Sequence, residues 1–297
     1  MHSTLPHPLR SLLFVPADSE RKLSASLKSN SDALIFDLED AVPERGKADA
    51  RQLLSDFLAQ NRDSMESAFL VRVNGLSSGH ILQDLATVIP YKPNAIVLPK
   101  CRNVEDVNRL CDFLAAFECA LLSDKWETSV VAMATESSEG IFGLSSYRNA
   151  PMRLQALMWG VDDLAADLGA FTSHVGKDLT APFSVARTMC LLAAAQAGID
   201  AIDAVSTTLK DGDHIGDEAM HAKRDGFVAK AAAHPSHIDA INQAFAPQEH
   251  EIRWARSVVQ AFSEAGASGV VRLGTAMLDK PHLRLAHRIL CRVDGDD

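Results

Sequence analysis

Short apolar runs punctuate the chain, and each is followed by a longer segment in which apolar and polar residues alternate with helical spacing. The runs at Ser11–Val15, Ala33–Phe36, Phe69–Val73, Ala95–Leu98, Ser129–Ala134, Leu154–Trp159, Ala201–Ala204 and Lys230–Ala233 predict strands. The segments Arg21–Lys28, Lys47–Gln60, Gly79–Ile89, Val104–Phe117, Gly140–Tyr147, Phe183–Ala197 and Ile215–Phe227 predict helices. Strand alternating with helix is the mark of a parallel sheet, because a parallel neighbour is reached only through a crossover. Eight such strands predict an α/β fold of the (β/α)8 TIM barrel type.

The pattern changes beyond Phe245. Pro247 opens a helical stretch through Glu264, Ala265-Gly-Ala-Ser-Gly269 breaks it, and a short Val270-Val-Arg-Leu273 run and a helix from Pro281 follow. The barrel count is complete before this point. Residues 1–245 are therefore expected to form the barrel, and 246–297 a C-terminal helical extension that contacts a neighbouring subunit.

In such a barrel the strand interiors are apolar, so polar residues at the strand ends are informative. The second strand runs into Asp37-Leu-Glu39-Asp40 and the third into Arg72-Val-Asn74. The fourth runs into Pro99-Lys100, the fifth into Thr135-Glu136 and the sixth into Gly160-Val-Asp162-Asp163. The C-terminal ends of barrel strands share one face, the face that carries active sites. Any one of these acids could serve only as a helix cap or dipole partner, as the position of Asp162 suggests. Gathered on one rim they repel one another unless a cation lies among them. Carboxylates without companion His or Cys favour a hard, oxygen-seeking ion, and two protein carboxylates completed by waters and substrate oxygens are a Mg2+ pattern.

Composition narrows the classes further. Against 29 Lys and Arg stand 39 Asp and Glu, a net charge of −10, which argues against nucleic acid as a partner. No apolar run approaches a membrane span, and the Leu12–Val15 run before Pro16 is too short for a signal-peptide core. Five scattered cysteines without a C-x-x-C pair read as reduced thiols, so the expected location is the cytoplasm. There is no P-loop, no dinucleotide fingerprint, no zinc spacing and no G-x-S-x-G elbow.

Several segments, taken in order, resemble the citrate lyase beta-subunit-like family. They are Arg10-Ser-Leu-Leu-Phe-Val-Pro16, Asp37-Leu-Glu-Asp-Ala-Val42, Val71-Arg-Val-Asn74, Leu98-Pro-Lys100, Thr135-Glu136 with Gly140, and Gly160-Val-Asp-Asp-Leu-Ala-Ala-Asp-Leu-Gly169. Ala197-Gly-Ile-Asp-Ala-Ile-Asp203, His234-Pro235 and Leu278-Asp-Lys-Pro-His282 extend the match over nearly the whole chain. The resemblance implies a Mg2+-dependent barrel enzyme that makes or breaks a carbon–carbon bond beside a CoA thioester. By that likeness Glu136 and Asp163 are the metal ligands, and Glu39 and Asp40 support metal-held water and the oxo-acid end. Arg72 holds the oxo acid and its developing oxyanion, and Arg10 and Lys100 face the same substrate pocket. Asp279 is the tail carboxylate that enters a neighbouring subunit's site and handles the proton of the acetyl-CoA methyl. A homotrimer or hexamer is implied, with membership of a citrate lyase complex as a further option.

The sequence also departs from the family pattern. Ala229 stands where Gly is usual, Asp162 where Glu is common, and Ser137-Ser-Glu139 where Thr-Ala-Arg is usual. The expected function is cleavage of a malyl-, citramalyl- or citryl-CoA-like thioester to acetyl-CoA and an oxo acid. Two rivals remain open at this point: a pyruvate-type class II aldolase acting on 4-hydroxy-2-oxo acids, and a CoA-binding regulatory protein without turnover.

Overall fold

The computed structural model describes residues 5, 8–206, 208, 212–266 and 269–293, with residue 213 described in its backbone only. The chain divides into two compact units, Met1–Ala244 and Phe245–Asp297.

The first unit is a closed barrel of eight parallel strands. In chain order these are β1 (Ser11–Pro16), β2 (Ala33–Asp37), β3 (Ala68–Arg72), β4 (Ala95–Leu98), β5 (Ser129–Met133) and β6 (Leu154–Met158). A small hairpin, β7 (His174–Val175) with β8 (Asp178–Leu179), precedes the last two barrel strands, β9 (Asp200–Asp203) and β10 (Ala229–Ala232). The order around the barrel is β1-β10-β9-β6-β5-β4-β3-β2. Each strand therefore lies beside its neighbours in sequence and β10 closes onto β1, the (β/α)8 arrangement the pattern predicts.

Alternate residues explain the near-continuous apolar runs. Leu12, Ile35, Leu70, Val97, Val131, Ala156, Ile202 and Ala229 belong to one buried cluster drawn from every barrel strand, which makes it the barrel interior. Their neighbours Leu13, Leu34, Phe69, Ile96, Val130 and Leu157 are equally buried but have the opposite strand parity, and so face the helices. Burial on both faces leaves little room for polar residues until a strand ends.

The helices of the barrel unit are α1 (Glu20–Ser26), α2 (Lys47–Asn61), α3 (Ile81–Val88), α4 (Val104–Leu121), α5 (Ser138–Gly143), α6 (Asp162–Leu168), α7 (Ala181–Ala197) and α8 (Gly212–Asp225). They are followed by α9 (Ile238–Phe245), which runs to the unit boundary. The helix predicted over Gly140–Tyr147 begins earlier, because the Ser137 side chain caps it at the Gly140 N–H, and it tightens into 3-10 turns from Leu144 to Asn149. The short helices α6 and α9 and the β7–β8 hairpin give no periodic signal long enough to read from sequence.

The second unit carries α10 (Glu249–Ala265), an antiparallel hairpin of β11 (Val270–Leu273) and β12 (Ala276–Asp279), and α11 (Lys280–Cys291). Ala255, Val258, Phe262, Val271, Leu278 and Ala286 bury one another as its own small core. Gly274, with φ at +60°, makes the hairpin turn that separates the predicted Val270–Leu273 run from its unpredicted partner strand. Among the described residues no helix is long and apolar enough to cross a membrane.

Candidate active site

Strand parity decides which polar side chains enter the barrel mouth. Asp37 shares the parity of Ile35, and Arg72 that of Leu70, so both point inward at the C-terminal ends of adjacent strands. Arg72 donates from Nε to Asp37 Oδ1 (2.8 Å) and from Nη2 to Asp37 Oδ2 (2.6 Å), a two-point clamp that fixes the guanidinium plane. Its Nη1 lies 3.1 Å from Glu39 Oε2, and its guanidinium carbon lies 5.0 Å from the centre of the Phe14 ring. Burial works against the charge of Arg72, but Asp37 more than compensates and holds it protonated. The Asp37 Oδ1 also accepts the Glu39 N–H at 2.9 Å, so one carboxylate organises both the Arg and the acid-bearing loop.

Lys100 stands at the end of β4 with φ at +53°, in the left-handed region that non-glycine residues rarely adopt. This geometry turns its N–H toward Glu136 Oε2, to which it donates. Its Nζ donates to Glu39 Oε1 (2.6 Å) and Asp40 Oδ1 (3.1 Å), and lies 3.7 Å from Asp163 Oδ1. Lys100 thus touches Glu136 through its main chain and Asp163 through its side chain, joining acids from the ends of β2, β5 and β6.

Two glycines make room for this arrangement. A Cβ on Gly160 would lie 2.8 Å from Glu136 Cγ, and one on Gly140 would lie 2.7 Å from the Ala134 carbonyl oxygen. The Gly160 N–H is in turn donated to Thr135 Oγ1 at 3.1 Å, which ties the ends of β5 and β6 together.

The electrostatics are strained. Burial pushes the Glu136 carboxyl up to about 8; the Lys100 N–H and Arg72 oppose this, while the nearby Asp163 and Glu39 add to it. Burial also raises Glu39, against the pull of Arg72 and Lys100. Asp40 is desolvated as well, yet its bond to Lys100 holds its carboxyl below the usual range. The Glu39 Oε2 is buried and, despite its closeness to Arg72, has no hydrogen bond.

Among the described residues no three His, Cys, Asp or Glu side chains are grouped so as to hold a metal unaided. The donors at the mouth are all carboxylate oxygens: Glu136 and Asp163, with Glu39 and Asp40 beside them. The raised Glu136 and the unbonded Glu39 oxygen mark a surplus of buried negative charge, which a hard divalent ion would relieve. A Mg2+ held by two protein carboxylates leaves its other positions to water and substrate oxygens, and the donor set fits that mode.

Not every residue singled out from the sequence arrives here. Arg10 precedes β1 and lies at the opposite end of the barrel. It donates from Nε to Asp32 Oδ2 (2.9 Å) and from Nη2 to Asp32 Oδ1 (2.7 Å), just before β2. The expectation that Arg10 faces the substrate pocket is corrected: a residue at the N-terminal end of a parallel strand stands a full strand length from the mouth. Asp162 is not the cap of α6, which is Val161, but the first residue of its first turn, where an acid complements the helix dipole. Asp279 lies in the second unit, half-exposed, where it caps α11 and its Oδ1 meets His282 Nδ1 at 2.6 Å.

Asp37, which clamps Arg72, is one of the strand-end acids of the sequence but carries no assigned role there, although its parity with Ile35 points it inward. A second unanticipated cluster lies outside the barrel wall. Lys230 Nζ donates to Asp203 Oδ2 (2.9 Å) and to the Ala204 carbonyl (2.7 Å), and Asp203 Oδ1 accepts from Trp159 Nε1 (2.7 Å) and Arg187 Nε (3.0 Å). Asp203 is desolvated, yet Lys230 and Arg187 hold its carboxyl below the usual range.

Comparison with known proteins places this geometry in a context. Residues 10–235 match the family described as HpcH/HpaI aldolase/citrate lyase. A (3S)-malyl-CoA thioesterase of Cereibacter sphaeroides (strain ATCC 17025 / ATH 2.4.3) is 31% identical over 291 residues, covering 97% of this chain and 96% of that protein. The citrate lyase subunit beta of Escherichia coli (strain K12) is 33% identical over 287 residues, covering 96% of this chain and 93% of that protein. Among solved structures, the protein CitE of Mycobacterium tuberculosis in complex with magnesium, acetoacetate and coenzyme A has a TM-score of 0.75 at 27% identity, covering 96% of this chain and 97% of that one.

Proposed function

Because the chain belongs to the HpcH/HpaI aldolase/citrate lyase family, we propose that it is a magnesium-dependent carbon–carbon lyase. Its substrate in this reading is a 3-hydroxyacyl-CoA of malyl-, citramalyl- or citryl-CoA type, split into acetyl-CoA and an oxo acid. The observation that carries the reading is Arg72, clamped by Asp37 directly beside the desolvated carboxylates of the barrel mouth. Relatives named for citrate lyase and malyl-CoA chemistry, and a neighbour whose structure holds magnesium, acetoacetate and coenzyme A, support it.

In this reading Glu136 and Asp163 would hold a magnesium ion, which would supply Lewis-acid chemistry to the substrate's oxygens. Glu39 and Asp40 hold water and the oxo-acid end. When the carbon–carbon bond breaks, the hydroxyl passes its proton to the water that Glu39 and Asp40 hold and becomes the carbonyl of the oxo acid. The bonding pair passes to the carbon beside the thioester as an enolate. Arg72 is fixed before reaction begins, so its positive charge meets the developing oxyanion without reorganisation. A proton must then reach the enolate carbon, and Asp279 of a neighbouring copy supplies it. That assignment requires a homo-oligomer, a trimer or hexamer. The exposed Phe142, Met152, Phe171 and Met277 are side chains that packing between copies would cover. The five cysteines are free thiols, in keeping with a cytoplasmic enzyme.

A panel of CoA thioesters with Mg2+, read by product mass, tests the proposal. Acetyl-CoA with an oxo acid, abolished by EDTA, is the expected result. Free CoA with an intact hydroxy acid would instead mark a thioesterase. Turnover of a free 4-hydroxy-2-oxo acid alone would mark an aldolase, and tight CoA binding without turnover a regulatory protein.

A further inference from the structure

We propose that Lys100 is a built-in competitor of the divalent cation. Its ammonium group pairs with the carboxylates of the barrel mouth and weakens their hold on a metal ion. The inference rests on the magnesium reading above and concerns how that site is regulated.

The geometry is that of a small cation among oxygens. Lys100 Nζ has Glu39 Oε1 at 2.6 Å, Asp40 Oδ1 at 3.1 Å and Asp163 Oδ1 at 3.7 Å. These oxygens come from two different strand ends, and one of them belongs to a proposed metal ligand. An ammonium is compact and strongly hydrated, and its charge is carried on a flexible stem, so it can occupy such a position and also leave it. The backbone of Lys100 is less free: its φ of +53° is held by the fold and aims its N–H at the other proposed ligand, Glu136. The two halves of the residue therefore act differently. The N–H orients one ligand whatever the side chain is, while the ammonium draws the remaining carboxylates onto itself. A metal ion entering the site meets a positive charge already engaged with those carboxylates, and both the repulsion and the lost ion pairs weaken its binding.

Charge, not shape, is then the quantity to vary. Full-length wild type, K100M and K100R are titrated with Mn2+ alone, without substrate, and the free ion is followed by electron paramagnetic resonance. Each protein is also melted in EDTA. K100M keeps the length of the stem without the charge and should bind Mn2+ at least about tenfold more tightly than wild type. K100R keeps the charge and should stay within about threefold of wild type. In EDTA K100M should melt below wild type, because its carboxylates have lost their counter-charge, and Mn2+ should raise its melting temperature by more. If K100M does not fold, K100G, which suits the left-handed backbone, carries the same expectation. A folded K100M or K100G whose Mn2+ affinity is unchanged or weaker overturns the proposal and leaves the magnesium reading standing. Absence of Mn2+ binding by wild type and both variants overturns both.

Discussion

Replacing Glu136 by Gln preserves the shape of the side chain and its acceptor for the Lys100 N–H but removes the charge. In the folded protein burial, with Asp163 and Glu39 nearby, pushes this carboxyl from 4.5 up to about 8, in spite of the Lys100 N–H and Arg72. Between those two values the native protein keeps a proton that the unfolded chain has already released. Stability attributable to this group is therefore full below about pH 4.5, falls as pH rises, and levels off above about pH 8. At ~1.36 kcal/mol per pH unit, the whole window is worth about 5 kcal/mol. The assay is urea unfolding of wild type and E136Q in EDTA from about pH 5 to about pH 9. Wild type should lose stability with rising pH relative to the variant, leaving E136Q the more stable protein at the alkaline end by several kcal/mol. Magnesium should narrow the difference. At one hundred times its dissociation constant it adds about 2.7 kcal/mol to wild type and little to a variant that has lost a ligand. Parallel pH curves for the two proteins in EDTA would refute the claim that Glu136 is a desolvated carboxylate awaiting a cation.

Three further outcomes follow from the same site. R72K keeps a positive charge but cannot span both Asp37 oxygens as the guanidinium does; kcat should fall by about 10²-fold or more, with the circular dichroism spectrum and Mn2+ affinity little changed. G160A places a methyl 2.8 Å from Glu136 Cγ, so calorimetric titration should show Mg2+ affinity down by at least about tenfold. D279N and E136Q should each be inactive alone, but if the tail of one copy serves the barrel of another, randomly mixed oligomers regain both groups in roughly a quarter of their sites. No recovery after subunit exchange would place Asp279 outside a shared site.

The barrel was legible because its strands are buried on both faces and so stand out as apolar runs. Ala95–Leu98, for example, coincides with its predicted bounds. The acids and bases at the mouth were legible for the complementary reason, since polar residues stand out where such runs end. Position along a strand is weaker information when only a few residues are considered. The resemblance puts Arg10 at the mouth, yet it precedes β1 and the parallel arrangement carries it to the far end. Asp37 stands among the strand-end acids, but its role is not legible there because it lies in a partner 35 residues away. The pairing of Lys230 with Asp203 was equally invisible, since each lies in an otherwise unremarkable strand.

Those two lysine–carboxylate clusters separate a binding site from a structural one, although their residue types are the same. Lys230 and Asp203 have the opposite parity to the barrel-interior residues Ala229 and Ile202, so they lie outside the wall beneath the helices. The carboxylate of Asp203 there receives donors from Lys230, Trp159 and Arg187, and its charged form is favoured despite its burial. Glu218 Oε2, 3.3 Å from Lys230 Nζ, is likewise buried without a hydrogen bond, but the charge of Asp203 is matched by its three donors, and removing Lys230 would chiefly cost stability. At the mouth the balance is opposite. Arg72 and Lys100 face Asp37, Glu39, Asp40, Glu136 and Asp163, too few positive charges for the acids gathered there. The deficit shows locally, in a Glu136 carboxyl pushed up to about 8 and a buried Glu39 oxygen without a hydrogen bond. A fold optimised only for stability would have supplied the missing donors, as it did around Asp203. Their absence from an inward-facing cluster at the C-terminal end of the strands is the physical reason to place ligand chemistry there.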